Sequence, residues 1–574
     1  MKKIVIKIVI VFILLFLLKS ILSYFILAPS AFSDSYIYAK IGRSVFFTGE
    51  LSVHGLSVDH LPLYPIILSL SYVFNDMNNV YLTMKIINAF ISSLIIFPAF
   101  FLAKEFLSSK KSFLFSILIS VLPSNFSFSP YIMTENLFYP LFLTSIYFIY
   151  KSFKENKIKY DVLASIFIAL SFLTRALGIT LILLIPILII FKLIKKEYNL
   201  KEIITKSLAY SIPFMIIISS WIIRNTILLN NELGIITNHY SQFSFAQTRD
   251  IYSLIFFSLI WIVLYLGFMI LSSGVIFPFM HLTKIKDFFK DNRLLLLTII
   301  SYSSFAIIIL IISRYNATTI LLNNSLFQLS GRPIGRYLDV TLPLVILLGF
   351  ISISLYKKLR EKRIIPAIII TSIVLFASIR LVFFPLFPVN NLSLTWMGTL
   401  KYLIDLIFYN KQSLDVTFSL ASFIIFILLF ISILTIIILM YSKRIINIKN
   451  IFTFFIIFFL TVSLLNYGLT YYNSKIWYEG EQMQLGLWLN DYDPKISNIL
   501  IDERDCTGKI SKDDQSTLCE PSKSSTIIGF WLNDNIIIRD ITNLDNIDFV
   551  ITKHETKLEL VKETNNGIKI YKVG

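Results

Sequence analysis

Cysteine is nearly missing from this chain: two occur in 574 residues, Cys506 and Cys519, both in the polar C-terminal segment. Two there and none in the apolar runs fit a disulfide in an oxidising outside compartment; two free thiols are the alternative. Glycine is missing where nucleotide chemistry would need it. There is no Walker-type Gly-Lys loop, no Rossmann glycine pattern, and no basic loop long enough for a nucleotide domain. Internal repeats and low-complexity linkers are lacking as well. What fills the chain instead is hydrophobic, 56% of residues with a mean hydropathy of +0.75. Soluble domains do not reach this value; polytopic membrane proteins do.

The net charge of +17 hides two populations. From Lys475 to Gly574, 17 Asp/Glu outnumber 12 Lys/Arg, a net of −5, so everything before that segment nets +22. Basic residues beside membrane runs mark cytoplasmic loops, so no nucleic-acid partner is expected. Runs long enough to span lie at 4–27, 80–103, 112–128, 131–150, 161–175, 176–194, 204–226, 252–280, 294–313, 336–355, 364–384, 416–441 and 451–472. They predict an all-α membrane domain of about thirteen transmembrane helices. With Lys2 and Lys3 inside, the loops carrying Lys104/Lys110/Lys111, Lys151/Lys154, Lys195/Lys196, Lys284/Lys286/Lys290, Lys357/Lys358/Arg360 and Lys443/Arg444 all fall on the same side.

The N-terminus is then cytoplasmic, on an uncleaved first helix whose apolar run reaches about Leu27, long for a signal-peptide core. The run Pro62–Phe74 is too short to span and reads as a re-entrant or interfacial helix. Residues 1–472 thus form a multi-pass domain in the cell membrane, with a first outer loop at 28–79. Residues 473–574 form a small extracytoplasmic α/β domain, with β-type runs at Ser497–Ile501, Thr526–Gly529, Ile536–Ile538, Phe549–Thr552 and Gly567–Val573. The N-x-S/T triplets at Asn125, Asn316, Asn323 and Asn391 fall on the outer side.

That outer side gathers isolated polar groups. The first loop holds Asp34, Tyr38, Asp59 and His60, with Leu61-Pro62-Leu63-Tyr64-Pro65 following. Tyr36, Ala39, Lys40 and Arg43 suggest a helix capped by Ser33 or Asp34, lying flat at the interface. Glu135 sits just inside a span, where a carboxylate is costly without a partner or water; a dipole-favoured interfacial acid is the alternative. Arg175 lies between two spans in Leu173-Thr174-Arg175, and Trp221-Ile222-Ile223-Arg224-Asn225 ends another. Gly331-Arg332-Pro333-Ile334-Gly335-Arg336-Tyr337 opens the tenth span from outside. Two arginines entering a helix N-terminus make a phosphate-binding candidate; for these arginines, lipid headgroup contact is the alternative.

Carboxylates and arginines on one face suit transfer of a sugar from a lipid phosphate to a hydroxyl. The acid serves as general base and the arginines steady the leaving phosphate. Asp34 with Tyr38, the Leu61–Pro65 segment, Thr134-Glu135, Thr174-Arg175, the Trp221–Asn225 motif and Gly335-Arg336-Tyr337 leading to Pro343 together resemble the GT-C superfamily of integral-membrane glycosyltransferases. The likeness is to its protein-mannosyltransferase and aminoarabinose-transferase-like branch.

The resemblance implies a polyprenyl- or dolichyl-phosphate sugar donor, catalysis at the outer face, Asp34 as catalytic acid and Arg336 as a donor-phosphate contact. Glu135 is the second expected catalytic residue. Tyr38, Asp59, His60, Arg175, Arg224, Asn225, Arg332, Arg336 and Tyr337 are expected to bind substrate. Ser35 stands where many relatives carry a second acid, so a divalent metal ion is left open. The partners expected are the lipid-linked donor, membrane lipids and an acceptor that is protein, lipid or glycan. Oligosaccharyltransferase-like en bloc transfer and a transporter or lipid flippase are the alternatives. Transporters favour ionisable groups near the midplane, whereas here the polar groups lie mainly at one face.

Overall fold

A computed structural model describes residues 2–29, 32–229, 251–322, 334–354, 388–409, 448–493, 497–502, 523–539, 544–565 and 567–573, with scattered positions between 366 and 431. Arg332, Cys506, Cys519, Asn323 and the run expected at 416–441, apart from four isolated positions in that run, lie outside the described residues. The chain is largely helical, with a small β-containing domain at its C-terminal end. Among the described residues, seven helices are long and apolar enough to cross a membrane: Lys3–Tyr24, Met77–Lys104, Ala176–Ile194, Leu200–Leu229, Ile251–Ser272, Asn292–Ala317 and Asn450–Tyr478.

The first apolar run forms α1 (Lys2–Tyr24), and α2 (Phe32–Thr48) lies in the loop 28–79 that follows it. α2 starts at Phe32, so Asp34 falls within its first turn, where an acid complements the helix dipole. A hairpin of β1 (Ser52–Val53) and β2 (Leu56–Ser57) follows, turning through His54 and Gly55 with φ of 52° and 75°. The short apolar run after it is helical, α3 (Leu63–Ser69) continuing as a 3-10 turn to Val73. α4 (Met77–Ser93) opens with Asp76 accepting from the backbone N–H groups of Asn78 and Asn79.

Two lysines lie within the apolar runs, away from the run ends where most ionisable residues gather. Lys19 of α1 is 0% exposed and donates to Ser92 Oγ at 2.9 Å. Lys85 of α4 donates to the Ser23 and Ile26 carbonyls at 2.8 and 2.6 Å, just where α1 ends. α1 has no basic residue in its last turn, so Lys85 supplies the cation that its unsatisfied carbonyls favour.

The central helices are α5 (Glu135–Glu155), α6 (Ile158–Thr174) and α7 (Leu200–Leu229), with α5 packed on α6 and α6 on α7. The stretch expected as one span at 252–280 is two helices, Ile251–Ser272 and Ile276–Phe288. The chain breaks at Gly274, whose φ of 77° is closed to most side chains and whose Cβ would meet the Phe455 ring. The run expected at 336–355 likewise divides, into the single turn α8 (Arg336–Asp339) and α9 (Leu342–Ser354). The last long helix, α10 (Ile448–Tyr478), leads directly into the C-terminal domain.

That domain contains α11 (Glu481–Tyr492), β3 (Asn498–Asp502), α12 (Lys523–Phe530), β4 (Asn535–Arg539), β5 (Phe549–Thr552), β6 (Glu559–Glu563) and β7 (Lys569–Lys572). The strands form a mixed sheet in the order β4-β3-β5-β7-β6. β3 lies parallel to both β4 and β5, while β5/β7 and β7/β6 are antiparallel. The run Thr526–Gly529, expected as a strand, is helical. Neighbouring parallel strands need a crossover, and α12 lies within the one from β3 to β4. Strand alternation is kept: Ile499, Ile501 and Ile551 face α11 and α12, while Leu500 and Val550 face the other side with Tyr571.

The domain docks on the outer loop through an aromatic cluster. Tyr36, Tyr64, Tyr72 and Tyr81 pack with Phe530 and Trp531. Polar contacts fix the register: Lys40 Nζ donates to the Leu532 carbonyl at 2.6 Å, and Arg43 reaches Asn533 Oδ1 and Asn535 Oδ1 at 3.2 and 3.1 Å. Burial pulls the Lys40 ammonium down to about 7, with Arg43 adding to the shift and Asp534 opposing it. Burial pushes the Asp534 carboxyl up to about 6, against the Ser497 N–H, Lys40 and Arg43.

The two groups act in opposite pH windows. Docking strength contributed by Asp534 is present at acid pH and lost as pH rises through about 6. That contributed by Lys40 is present near its free value of about 10.4 and lost as pH falls through about 7. Lys40→Met should therefore flatten the rise in melting temperature of the detergent-purified protein between pH 7 and about pH 10. A variant that keeps the wild-type rise would show that this ammonium is not its source.

Candidate active site

Four separate segments meet around Glu135. α5 begins at this residue, so its carboxylate sits at a helix N-terminus, the dipole's favoured place for an anion. Its side chain has 0% exposure, which in an apolar setting requires partners. Arg175 Nη1 supplies one at 2.7 Å, and Arg336 Nε lies 3.5 Å away. The Thr134 hydroxyl joins the pair, accepting from Arg175 Nη1 at 2.8 Å and donating to Glu135 Oε2 at 3.3 Å.

Arg175 reaches this point because α6 stops at Thr174. The arginine is extended, with φ −154° and ψ 132°, before a 3-10 turn carries the chain on. Arg336 is the first residue of α8. Its backbone carbonyl accepts from Tyr139 Oη at 2.6 Å, and its Nη2 lies 3.6 Å from Asp34 Oδ2 on α2. The result is an ion chain, Asp34–Arg336–Glu135–Arg175, with no net charge. The Tyr337 ring lies against both guanidiniums, 4.8 Å from Arg175 Cζ and 5.7 Å from Arg336 Cζ.

Asp34 differs from Glu135 in one decisive respect. Its side chain is 44% exposed, against 0% for Glu135, so it alone of the two acids presents an open face. Tyr38, one turn along α2, packs edge-on against Tyr64 and His60 at ring distances of 5.4 and 6.5 Å. Burial, with Asp34 and Glu135 adding, pushes its phenol above its usual value while Arg175 and Arg336 oppose. It therefore stays a neutral hydroxyl at physiological pH.

The remaining expected residues divide. Arg224 lies away from the ion chain's guanidiniums in function: it donates to the Val58 and Leu51 carbonyls at 2.5 and 2.8 Å, bracing the β1–β2 hairpin, and to Asn225 Oδ1 at 2.9 Å. Asp59 acts on Arg224 electrostatically. Asn225 is buried, and its Nδ2 has no partner among the described residues. Two contributors escape the sequence reading. Tyr139 lies one helical turn beyond Glu135, at a spacing indistinguishable from ordinary span packing. Asn136 ties the start of α5 to the preceding turn, its amide nitrogen donating to the Phe128, Tyr131 and Met133 carbonyls.

A divalent cation does not fit the donors as they stand. Among the described residues no three His, Cys, Asp or Glu side chains cluster. The two nearest acids, Asp34 and Glu135, have the Arg336 guanidinium within 3.6 and 3.5 Å, which a cation would have to displace.

Residues 59–223 match the family described as dolichyl-phosphate-mannose-protein mannosyltransferase, a little under a third of the chain. No curated protein matches the sequence. Among solved structures the chain resembles ArnT from Cupriavidus metallidurans bound to undecaprenyl phosphate, with a TM-score of 0.56 and 12% identity, over 98% of this chain and 97% of that one. The apo state of the same enzyme gives a TM-score of 0.55 at 12% identity, with the same coverage of 98% and 97%. At this identity the likeness establishes the fold.

Removing Glu135 would leave Arg175 without its carboxylate partner and Arg336 with Asp34 alone. Glu135→Gln should lower the unfolding free energy by about 3 kcal/mol, the usual cost of breaking a buried pair on one side. A loss below about 1 kcal/mol in denaturant titration would remove the ion chain as the organising contact.

Proposed function

We propose that this protein is a membrane glycosyltransferase of the GT-C superfamily, drawing its sugar from a polyprenyl or dolichyl phosphate and passing it to a hydroxyl acceptor at the outer face of the membrane. The observation that carries the reading is the approach of Asp34 to Arg336, an exposed carboxylate beside a buried arginine. A physical constraint favours the lipid donor: nucleotide sugars are made in the cytoplasm and do not cross membranes unaided.

In this reading Asp34 takes the proton from the acceptor O–H. The acceptor oxygen then forms a bond to the anomeric carbon as the bond from that carbon to the phosphate oxygen breaks. The electron pair stays on the phosphate, and attack opposite the leaving group inverts the anomeric centre. Arg336 and Arg175 receive the growing phosphate charge through charge-assisted contacts. Glu135, closed to solvent, holds both guanidiniums in place. Tyr38 and Asn225 offer hydrogen-bond donors to sugar or acceptor hydroxyls, and Asp59, His60 and Tyr337 line the same outer surface. Arg332 belongs to the segment just before α8.

The finer architecture follows the same reading. About thirteen spans place the N-terminus in the cytoplasm and residues 473–574 outside, with the loop 28–79 between membrane and soluble domain. The docking of α12 on α2 supports a C-terminal domain on the same side as Asp34.

Asp34→Asn keeps the shape and removes the base. Transfer of radiolabelled sugar from polyprenyl-phosphate donors to membrane acceptors should fall by about 10²- to 10⁴-fold, with expression unchanged. Retained activity in a folded Asp34→Asn protein would refute the assignment.

A further inference from the structure

The triplet Asn391-Leu392-Ser393 has the form of a glycosylation acceptor, yet the structure puts it to another use. Asn391 and Ser393 are 3% and 5% exposed. Asn391 Oδ1 accepts from the Gly335 N–H at 3.1 Å, and the Ser393 hydroxyl donates to Asp339 Oδ1 at 2.9 Å. These two contacts fall immediately before and at the end of α8, the single turn Arg336–Asp339. A helix of one turn cannot hold itself, because nucleation fixes several residues for a single hydrogen bond. Its direction must come from outside.

The surroundings leave α8 no freedom. A Cβ at Gly335 would lie 1.9 Å from the Phe268 ring, so the turn is pressed against that side chain. Tyr139 Oη donates to the Arg336 carbonyl at 2.6 Å. The triplet is itself fixed, because Asn466 Nδ2 of α10 donates to the Leu392 carbonyl at 2.9 Å. α10 is the helix that continues into the C-terminal domain.

We propose that Asn391 and Ser393 are positioning residues for Arg336, a clamp that aims its guanidinium at the phosphate of the lipid donor. Neither touches substrate; each sets the orientation of the turn from which Arg336 projects. The phosphate half of this inference rests on the function proposed above, while the clamp itself rests on the contacts at the two ends of α8.

Product binding reads the clamp without depending on the fraction of active enzyme. Inhibition by free polyprenyl phosphate is measured for the full-length protein, for Arg336→Ala, Asn391→Ala and Ser393→Ala, and for Ser393→Thr, which keeps the hydroxyl. The Ki should rise at least about tenfold in Asn391→Ala and Ser393→Ala, the fold-change expected when one buried hydrogen bond is lost, and return to within about threefold of wild type in Ser393→Thr. Lower turnover with an unchanged Ki in both alanine variants, while Arg336→Ala weakens binding, overturns the clamp and leaves the transferase reading standing. Unchanged inhibition of Arg336→Ala overturns both the phosphate contact and the aim assigned to the clamp.

Discussion

Glu135 is the constraint from which the rest of the candidate site follows. A carboxylate with no exposed side-chain surface is intolerable in an apolar setting unless cations meet it. Here two do, at 2.7 and 3.5 Å, and they come from chain segments more than 150 residues apart. To reach it, Arg175 must interrupt a helix and Arg336 must start one. Satisfying one buried acid therefore brings α5, the end of α6 and the turn α8 to a single point, and Asp34 on α2 completes the chain.

The four charges cancel, and each guanidinium has a carboxylate beside it. In the proposed reaction a phosphate would take the place of Asp34 beside Arg336, so the arginine would keep an anionic partner. The same exchange would free Asp34 to accept a proton. The C-terminal domain bears on this from two directions. It grips α2 through Lys40, Arg43 and the cluster around Trp531, and its supporting helix α10 holds the Asn391–Ser393 segment behind Arg336. The helix carrying the acid and the turn carrying the arginine are thus both tied to the C-terminal domain.

Much of this was legible in the sequence, for reasons that can be named. Apolar run length and the asymmetry of lysine placement are strong signals in a membrane, and they located most helices and the shortness of Pro62–Phe74. Asp34, Glu135, Arg175 and Arg336 stood out as isolated charges at the run ends that lack lysine clusters. Lys19 and Lys85 were harder to foresee. They sit within the runs, and the oxygens that accept from them are a serine hydroxyl and main-chain carbonyls, which leave no mark in composition. Arg224 looked like a substrate contact because its backbone partners in the hairpin cannot be read from residue types. Thr526–Gly529 has the composition of a strand, and only the parallel pairing of its neighbours makes it a helix. Asn391 and Ser393 were visible as a triplet, but the motif points outward while the side chains point in.

In the proposed reaction Arg336 exchanges Asp34 for phosphate, and a cryo-EM structure of the protein with polyprenyl phosphate tests that most directly. Phosphate oxygens at about 3 Å from Arg336, with Asp34 released to face solvent, is the predicted result. Phosphate bound elsewhere with the Asp34–Arg336 pair intact would contradict it.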